Sequence, residues 1–306
     1  MDILVLGGTR FFGVHLVERL LQAGHRVTIA TRGRTEDPFG ERVKRLKVER
    51  TDGEDMRKVF WGRCYDLVYD NLAYCPMDIK TALDAISCGR YIFTSSASVY
   101  ELHRDTRESD FSPEGKELVW CRREEVEYDE GKKGAESALL HAYPGQKAAF
   151  VRFPFVIGED DYTDRLYFYV KNTILGIPMY VDNPDCRMSF IGSVDAGSFL
   201  AQLAAAKLEG PVNACCKGTL SIREILTWVT AETGKNPVLC EEAAPAPYNG
   251  AEDYSLNTDK AEQAGIRFRD LHSWIFGLLA HYVERAGKEI SPSFFKKGRS
   301  EEHTSE

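Results

Sequence analysis

The sequence predicts an α/β protein built on a doubly wound parallel sheet with a second, smaller α/β domain, and three observations predict it. Short apolar runs alternate with helical stretches through the first half. A glycine-rich turn, LVLGGTRFFG at 4–13, joins the first run to the first helical pattern. The second half then changes to aromatic-rich loops and longer helices. Strands alternating with helices of this length mean βαβ units.

The strand-like runs are 2–6, 26–31, 45–50, 66–70, 90–94 and 148–153, with helical patterns at 12–23, 53–61, 76–88 and 128–142. Right-handed crossovers place the carboxyl ends of such strands on one edge of the sheet, where ligands bind. Residues 155–187 carry loop signals, including Gly176-Ile177-Pro178 and Asn183-Pro184. SFIGSVDAGSFLAQLAAAKL (189–208) returns to a strand and a helix, and PVNACCKG (211–218) reads as a further strand. Helices follow at 221–233, 258–264 and 270–286. The expected division is a first domain over 1–156 with 188–212 returning to it, a second over 157–187 and 213–290, and a mobile tail over 291–306. Adjacent cysteines 215 and 216, on the expected strand, point to opposite faces and read as packing residues. Tyr162, Tyr167, Phe168 and Tyr169 stand at helical spacing and read as core, with a sugar-lining role as the alternative.

Composition narrows the function classes. At 306 residues, 43% hydrophobic and 28% charged, the chain buries a large core and has the make-up of a soluble globular protein. No apolar run nears the ~20 residues that span a bilayer, so no membrane partner is expected. Eight scattered cysteines without a CxxC pair, and the lack of a basic leader with a cleavage site, point to reduced thiols and a cytoplasmic location. The seven histidines form no ligand spacing, so no metal is expected. A net charge of −8 argues against nucleic acid as a partner. The one feature that would serve RNA is the basic run RVKRLKVER at 42–50, which reads as a solvated face.

The glycine-rich turn comprises Gly7, Gly8, Thr9, Arg10, Phe11, Phe12 and Gly13. Gly7 permits a tight turn, Gly13 allows close packing, and the helix start between them offers N–H groups and a positive dipole end to a phosphate. Arg10 stands where a dinucleotide loop of this spacing has its middle glycine. The second strand ends TIATRGR, with Thr31, Arg32 and Arg34 and no carboxylate to accept from a ribose diol. Arg10 and Arg32 together suit a 2′-phosphate, because a guanidinium fork pairs with phosphate oxygens. NADP is therefore the expected cofactor and NAD the alternative. Asp52, followed by Gly53, is placed to accept from an adenine amino group or to cap the next helix, and the two roles are compatible.

VEYDEGKKGAESALL places Tyr128 and Lys132 four residues apart, one turn apart on one helical face. A phenol beside a fixed cation loses its proton more readily and can serve as general acid or base. The fifth strand ends YIFTSSASVY, setting hydroxyls at the carboxyl edge of the sheet.

With Ser, Tyr and Lys in that order behind a glycine-rich turn, the chain resembles the extended short-chain dehydrogenase/reductases, the NAD(P)-dependent epimerase/dehydratase group that works mostly on nucleotide sugars. GGTRFFG, FTSSASVY, YDEGKKGAE, VRFPFVIGEDDY, SFIGSVDAG, PVNACCKGTLSIREIL and SLNTDKAEQAGIRF carry the resemblance over nearly the whole chain. GGTRFFG and DDYTDRL are most similar to an atypical branch that includes the chloroplast stem-loop-binding proteins. The resemblance implies a Rossmann-type first domain and a substrate-binding second one. It makes Tyr128 the catalytic base and gives Lys132 the nicotinamide ribose; the catalytic hydroxyl is Ser96, with Ser95 and Ser98 as fallbacks. Leu72 and Ala73 would pass along the cofactor, and Phe153 and Pro154 would lie beside its nicotinamide. Tyr74, Ser98, Arg165 and Arg187 would face substrate, a sugar or nucleotide-sugar oxidised and reduced by Tyr-assisted hydride transfer. Arg187 stands three residues before Phe190-Ile191, where the family's diphosphate-binding arginine stands two before such a pair. A homodimer through helices 76–88 and 128–142 is implied as well. The alternative reading is a non-catalytic, cofactor-binding or RNA-associated protein on the same fold.

Overall fold

A computed structural model describes residues 1–297. In chain order the strands are β1 (Asp2–Leu6), β2 (Arg26–Thr31), β3 (Lys44–Lys47), β4 (Cys64–Asp70), β5 (Ser87–Ser96), β6 (Ala148–Phe153), β7 (Phe155–Ile157), β8 (Arg187–Met188), β9 (Phe190–Gly192), β10 (Gly210–Asn213) and β11 (Leu220–Ser221). The helices are α1 (Phe12–Gln22), α2 (Gly53–Phe60), α3 (Pro76–Leu83), α4 (Tyr128–His141), α5 (Arg165–Leu175), α6 (Ser193–Gln202), α7 (Ile222–Thr233), α8 (Asp259–Gln263) and α9 (Ile275–Lys297).

The chain divides into two units. The first holds residues 1–160, 189–217 and 254–269. Its seven strands are ordered β10-β6-β5-β4-β1-β2-β3, all parallel. Inner strands such as β1, buried along residues 3–6, read as continuous apolar stretches because both faces of the sheet are covered, whereas the edge strand β3 is largely exposed. The strand order reverses between β1 and β4, so the loops leaving these two strands diverge and open a crevice at their carboxyl ends. On one face Leu4, Leu6, Val68, Phe93 and Phe150 pack with Met56, Ile79, Ala82, Ala135, Ala138 and Leu139 from α2, α3 and α4.

The second unit holds 161–188, 218–253 and the described residues from 270 to 297. It is built on α5, α7 and α9 with a short antiparallel pair, β8 with β11. The start of α7 is set by a reciprocal cap between Ser221 and Glu224, and its end by Gly234 in the left-handed conformation.

Several boundaries move. The helix expected over 76–88 ends at Leu83, because Ser87 and Cys88 already pair with Cys64 and Tyr65 of β4. The strand expected over 45–50 stops at Lys47, and the one expected over 211–218 stops at Asn213. Cys215 and Cys216 thus lie beyond a strand, and both are buried, so the opposite-faces expectation does not apply. Residues 254–269, expected in the second domain, belong to the first: Thr106 bridges Leu256, and the Asn213 amide donates to the carbonyls of Thr106 and Asn257. α9 runs on to Lys297, and the remainder of the expected tail lies outside the described residues. All eight cysteines are free thiols. No described helix is long and apolar enough to cross a membrane.

Candidate active site

The loop after β1 has positive φ at Gly7 (98°) and Gly8 (88°), and again at Phe11 (53°). Arg10 is not among these positions, so the backbone bend that glycine favours is carried by its neighbours, and a large side chain is tolerated at residue 10. A Cβ on Gly13 would stand 2.9 Å from the Gly8 Cα, so turn and helix meet backbone to backbone. No side chain caps α1 and no carboxylate lies in its first turn. That leaves the helix start with N–H groups and partial positive charge, the arrangement that receives a phosphate.

Across the crevice, β4 ends in Asp70, and Asn71 and Leu72 follow. The Asn71 Oδ1 accepts from Thr94 Oγ1 at 2.8 Å, whereas its buried Nδ2 has no partner. An orphaned buried donor beside an uncapped helix start fits a polar ligand laid across both. Asp52 caps α2, its Oδ1 accepting from the N–H groups of Glu54 and Asp55. Gly53 lines a cavity of about 260 Å³ with Arg57, Cys75, Asp78 and Arg123.

Tyr128 is the first residue of α4 and is 43% exposed, its ring meeting Tyr74 edge-on at 5.2 Å. Lys132, one turn on, is 5% exposed. Its Nζ donates to the carbonyls of Ala73 (2.7 Å) and Thr94 (2.8 Å), and lies 5.6 Å from the Tyr128 ring centre. An ammonium has three donors, so one remains uncommitted. α4 comes this close because residue 131 is glycine: a Cβ there would lie 2.7 Å from the Tyr74 carbonyl oxygen.

Burial pushes the Lys132 ammonium down to about 8; Asp70 and Asp78 oppose the shift and Arg50 adds to it. Below that pH the side chain offers a third donor, and above it a lone pair. Ligand hydroxyls accepting from Lys132 are thus expected to bind more weakly as pH rises through about 8. Stability runs the other way. The folded value lies below the 10.5 of free lysine, so the unfolded chain binds more protons between the two, and this group favours folding increasingly as pH rises through that window. Titrations with a ribose-bearing nucleotide and thermal melts at matched pH would display the two opposed trends.

Ser96 ends β5 and its Oγ accepts from the Ser98 N–H at 3.1 Å, leaving its own O–H to donate. Ser95, the first fallback, has a buried Oγ that donates its proton to Glu136 at 2.6 Å. The Ser98 Oγ is buried and without a hydrogen-bond partner. Phe153 is buried, edge-on to Phe12 at 5.8 Å, and Pro154 beside it is buried. Thr31 accepts from Gly33 N–H at 3.0 Å. Arg10 and Arg32 are both exposed. The register pairs Thr31 with Lys47, whose stem passes 3.7 Å from the position of a Gly33 Cβ. Lys47 therefore adds a cation at this corner that chain order alone does not reveal.

In the second unit, Arg165 opens α5 and its Nε donates to Thr163 Oγ1 at 3.2 Å. Arg187 is spanned by Glu224 (2.8 Å) and by the Thr219 hydroxyl and carbonyl. Tyr167 and Tyr169 are core, while Tyr162 is exposed. The run at 42–50 is not a free basic face: Arg42 pairs with Glu18, Arg45 with Asp37, and Arg50 is buried against Asp70. Among the described residues no group of three or more His, Cys, Asp or Glu is arranged to hold a metal.

Residues 3–86 match the profile of the NAD dependent epimerase/dehydratase family. The chloroplast stem-loop binding protein of 41 kDa b of Arabidopsis thaliana is 28% identical over 222 residues, covering 67% of this chain and 56% of that protein. The chain thus spans about half the length of that relative. Two solved structures share the fold. A UDP-glucose 4-epimerase of Thermotoga maritima, solved with UDP-glucose, has a TM-score of 0.72 and 18% identity, covering 95% of this chain and 100% of that one. A dTDP-glucose 4,6-dehydratase of Bacillus anthracis, solved with NAD, has a TM-score of 0.71 and 17% identity, covering 93% and 97%.

Proposed function

We propose that this chain, which carries the fold and the N-terminal signature of the NAD dependent epimerase/dehydratase family, is an NAD(P)-dependent oxidoreductase acting on a sugar or nucleotide-sugar. The observation that carries the reading is the buried Lys132 bonded to Ala73 and Thr94 one turn from an exposed Tyr128, on the same sheet edge as Ser96. A nicotinamide cofactor bound there supplies the hydride acceptor and donor.

The uncapped start of α1 and the Gly7–Gly13 turn receive the pyrophosphate. Asp52 and Gly53 bound the adenine end, Lys132 donates to ribose hydroxyls, and Phe153 and Pro154 form an apolar wall that excludes water. Ser96 donates to the substrate oxygen, while Tyr128 takes or returns that oxygen's proton. A structural neighbour solved with UDP-glucose supports a nucleotide-sugar, and one solved with NAD supports a nicotinamide cofactor.

Arg32 and Lys47 at the end of β2, a strand end that carries no carboxylate, and an exposed Arg10 on the glycine-rich turn support NADP over NAD. Arg32→Ala is expected to lower the preference for NADPH over NADH by about tenfold to a hundredfold, since one charge-assisted hydrogen bond is worth about 1.5–3 kcal/mol. Competition titrations check this. Gentle denaturation followed by mass spectrometry of any released nucleotide tests the reading as a whole. NADP supports it fully, and stoichiometric NAD keeps the enzyme reading while removing the phosphate clamp. Failure of the purified protein to bind either cofactor overturns it.

A second reading, RNA association, is favoured by the name of one relative. It needs an affinity that falls steeply with salt; a flat salt response removes it.

A further inference from the structure

The segment Leu72–Ala73–Tyr74 lies between β4 and α3 in neither a strand nor a helix, so no neighbouring backbone holds it. Charged side chains do. Asp70 Oδ1 accepts from the N–H groups of Leu72 (3.0 Å) and Ala73 (2.9 Å). Asp78 Oδ2 accepts from Tyr74 N–H at 2.7 Å. Arg123 donates to the Leu72 carbonyl at 2.8 Å and to Asp78 Oδ2 at 2.9 Å. Lys132 takes the Ala73 carbonyl. Arg50, buried, bridges the two carboxylates: it donates to Asp70, which also accepts from Tyr91 Oη, and approaches Asp78 Oδ1 at 3.2 Å.

Five of the six backbone polar groups of three consecutive residues thus end on ionised side chains. This goes beyond what folding the loop requires, because ordinary turns satisfy such groups with water or backbone. Buried ion clusters of this kind are costly to assemble, and hydrophobic packing in their place is often neutral or stabilising. Arg123 stands five residues before Tyr128, so the cluster fastens the approach to α4 to the same loop that touches Lys132. The charged groups facing Lys132 are Asp70 from β4, Asp78 from α3, Arg50 from beyond β3 and Glu136 from its own helix, with Tyr128 at its side.

We infer that Arg50, Asp70, Asp78 and Arg123 are positioning residues: they clasp loop 72–74 as a rigid rail for the cofactor, while the carboxylates of Asp70 and Asp78 hold Lys132 as a donor beside it. The inference rests on the reading that Lys132 holds the cofactor's ribose.

The test is NADPH and NADH fluorescence titration of the intact chain across pH, with four variants. Lys132→Met tests the premise, and the others test the clasp. Asp70→Asn preserves an acceptor for Leu72 and Ala73 while removing the charge, so the alkaline midpoint of binding is expected to fall by about 1 pH unit. Arg123→Gln, at a half-exposed position, is expected to weaken binding about tenfold with a melting temperature close to wild type, and Arg123→Lys to recover part of the loss. If wild type binds neither cofactor, or Lys132→Met binds like wild type, the functional reading fails and the clasp with it. If Lys132→Met loses binding while Asp70→Asn and Arg123→Gln retain wild-type affinity and midpoint, the clasp alone is overturned. Should Asp70→Asn fail to fold, the affinity of Arg123→Gln and its recovery in Arg123→Lys decide the matter.

Discussion

Tyr128→Phe is expected to lower turnover on the cognate sugar by about a thousandfold or more, with cofactor affinity and melting temperature nearly unchanged. General acid–base catalysis by a positioned side chain is worth about 10²–10⁴, and the phenolic hydroxyl is what phenylalanine lacks. The ring is the part that packs, edge-on to Tyr74 and beside the Lys132 Nζ, and phenylalanine keeps both contacts. At 43% exposure the residue as a whole contributes little to the core. The measurement is the change in nicotinamide absorbance on adding a panel of nucleotide sugars, beside a cofactor titration of the same protein. A variant that turns over like wild type removes Tyr128 from the chemistry. One that loses cofactor as well assigns the tyrosine to binding.

Arg152→Met is expected to cost about 3–5 kcal/mol of stability, the range for removing one partner of a buried ion pair. Arg152 and Glu136 are both 0% exposed. Arg152 Nε donates to Glu136 at 3.0 Å, and the guanidinium also donates to Tyr100 Oη and to the carbonyls of Glu108 and Phe111. Glu136 accepts from Ser95 as well. Removal of the guanidinium leaves a carboxylate in a site with no water to solvate it. Replacing both charges, as in Arg152→Met with Glu136→Leu, is expected to recover most of the loss, because the buried charge then goes too. Chemical denaturation of both variants checks this; equal losses in the two would assign the effect to packing around Tyr100 and Phe111 instead.

The two positions differ in how legible they were. Tyr128 and Lys132 share one helix, so their spacing is local and a sequence displays it directly. Arg152 lies inside a run of strand residues, and nothing local marks it as the centre of an ion pair with a residue on α4. The same holds for Ser95 and Ser96. They are neighbours in a run of hydroxyls, but strand alternation sends Ser95 inward to Glu136 and leaves Ser96 at the edge, a choice that depends on what covers each face. Arg50 likewise closes a basic run that reads as a solvated face, yet it is buried because Asp70 and Asp78 meet it from two other elements.

The sequence by itself determined the parallel α/β architecture, the place of the glycine-rich turn, the capping of α2 by Asp52 and the helical pairing of Tyr128 with Lys132. All of these follow from periodicity, backbone conformational limits and contacts within a few residues. Tertiary structure alone decided that the backbone bends at Phe11 so that Arg10 is tolerated, that residues 254–269 return to the first unit, and that four charges from separate elements converge on loop 72–74. Those outcomes depend on which distant groups share a dry interior. There an unpaired charge is too costly to leave, and its partner is set by the order of strands in the sheet rather than by neighbours in the chain.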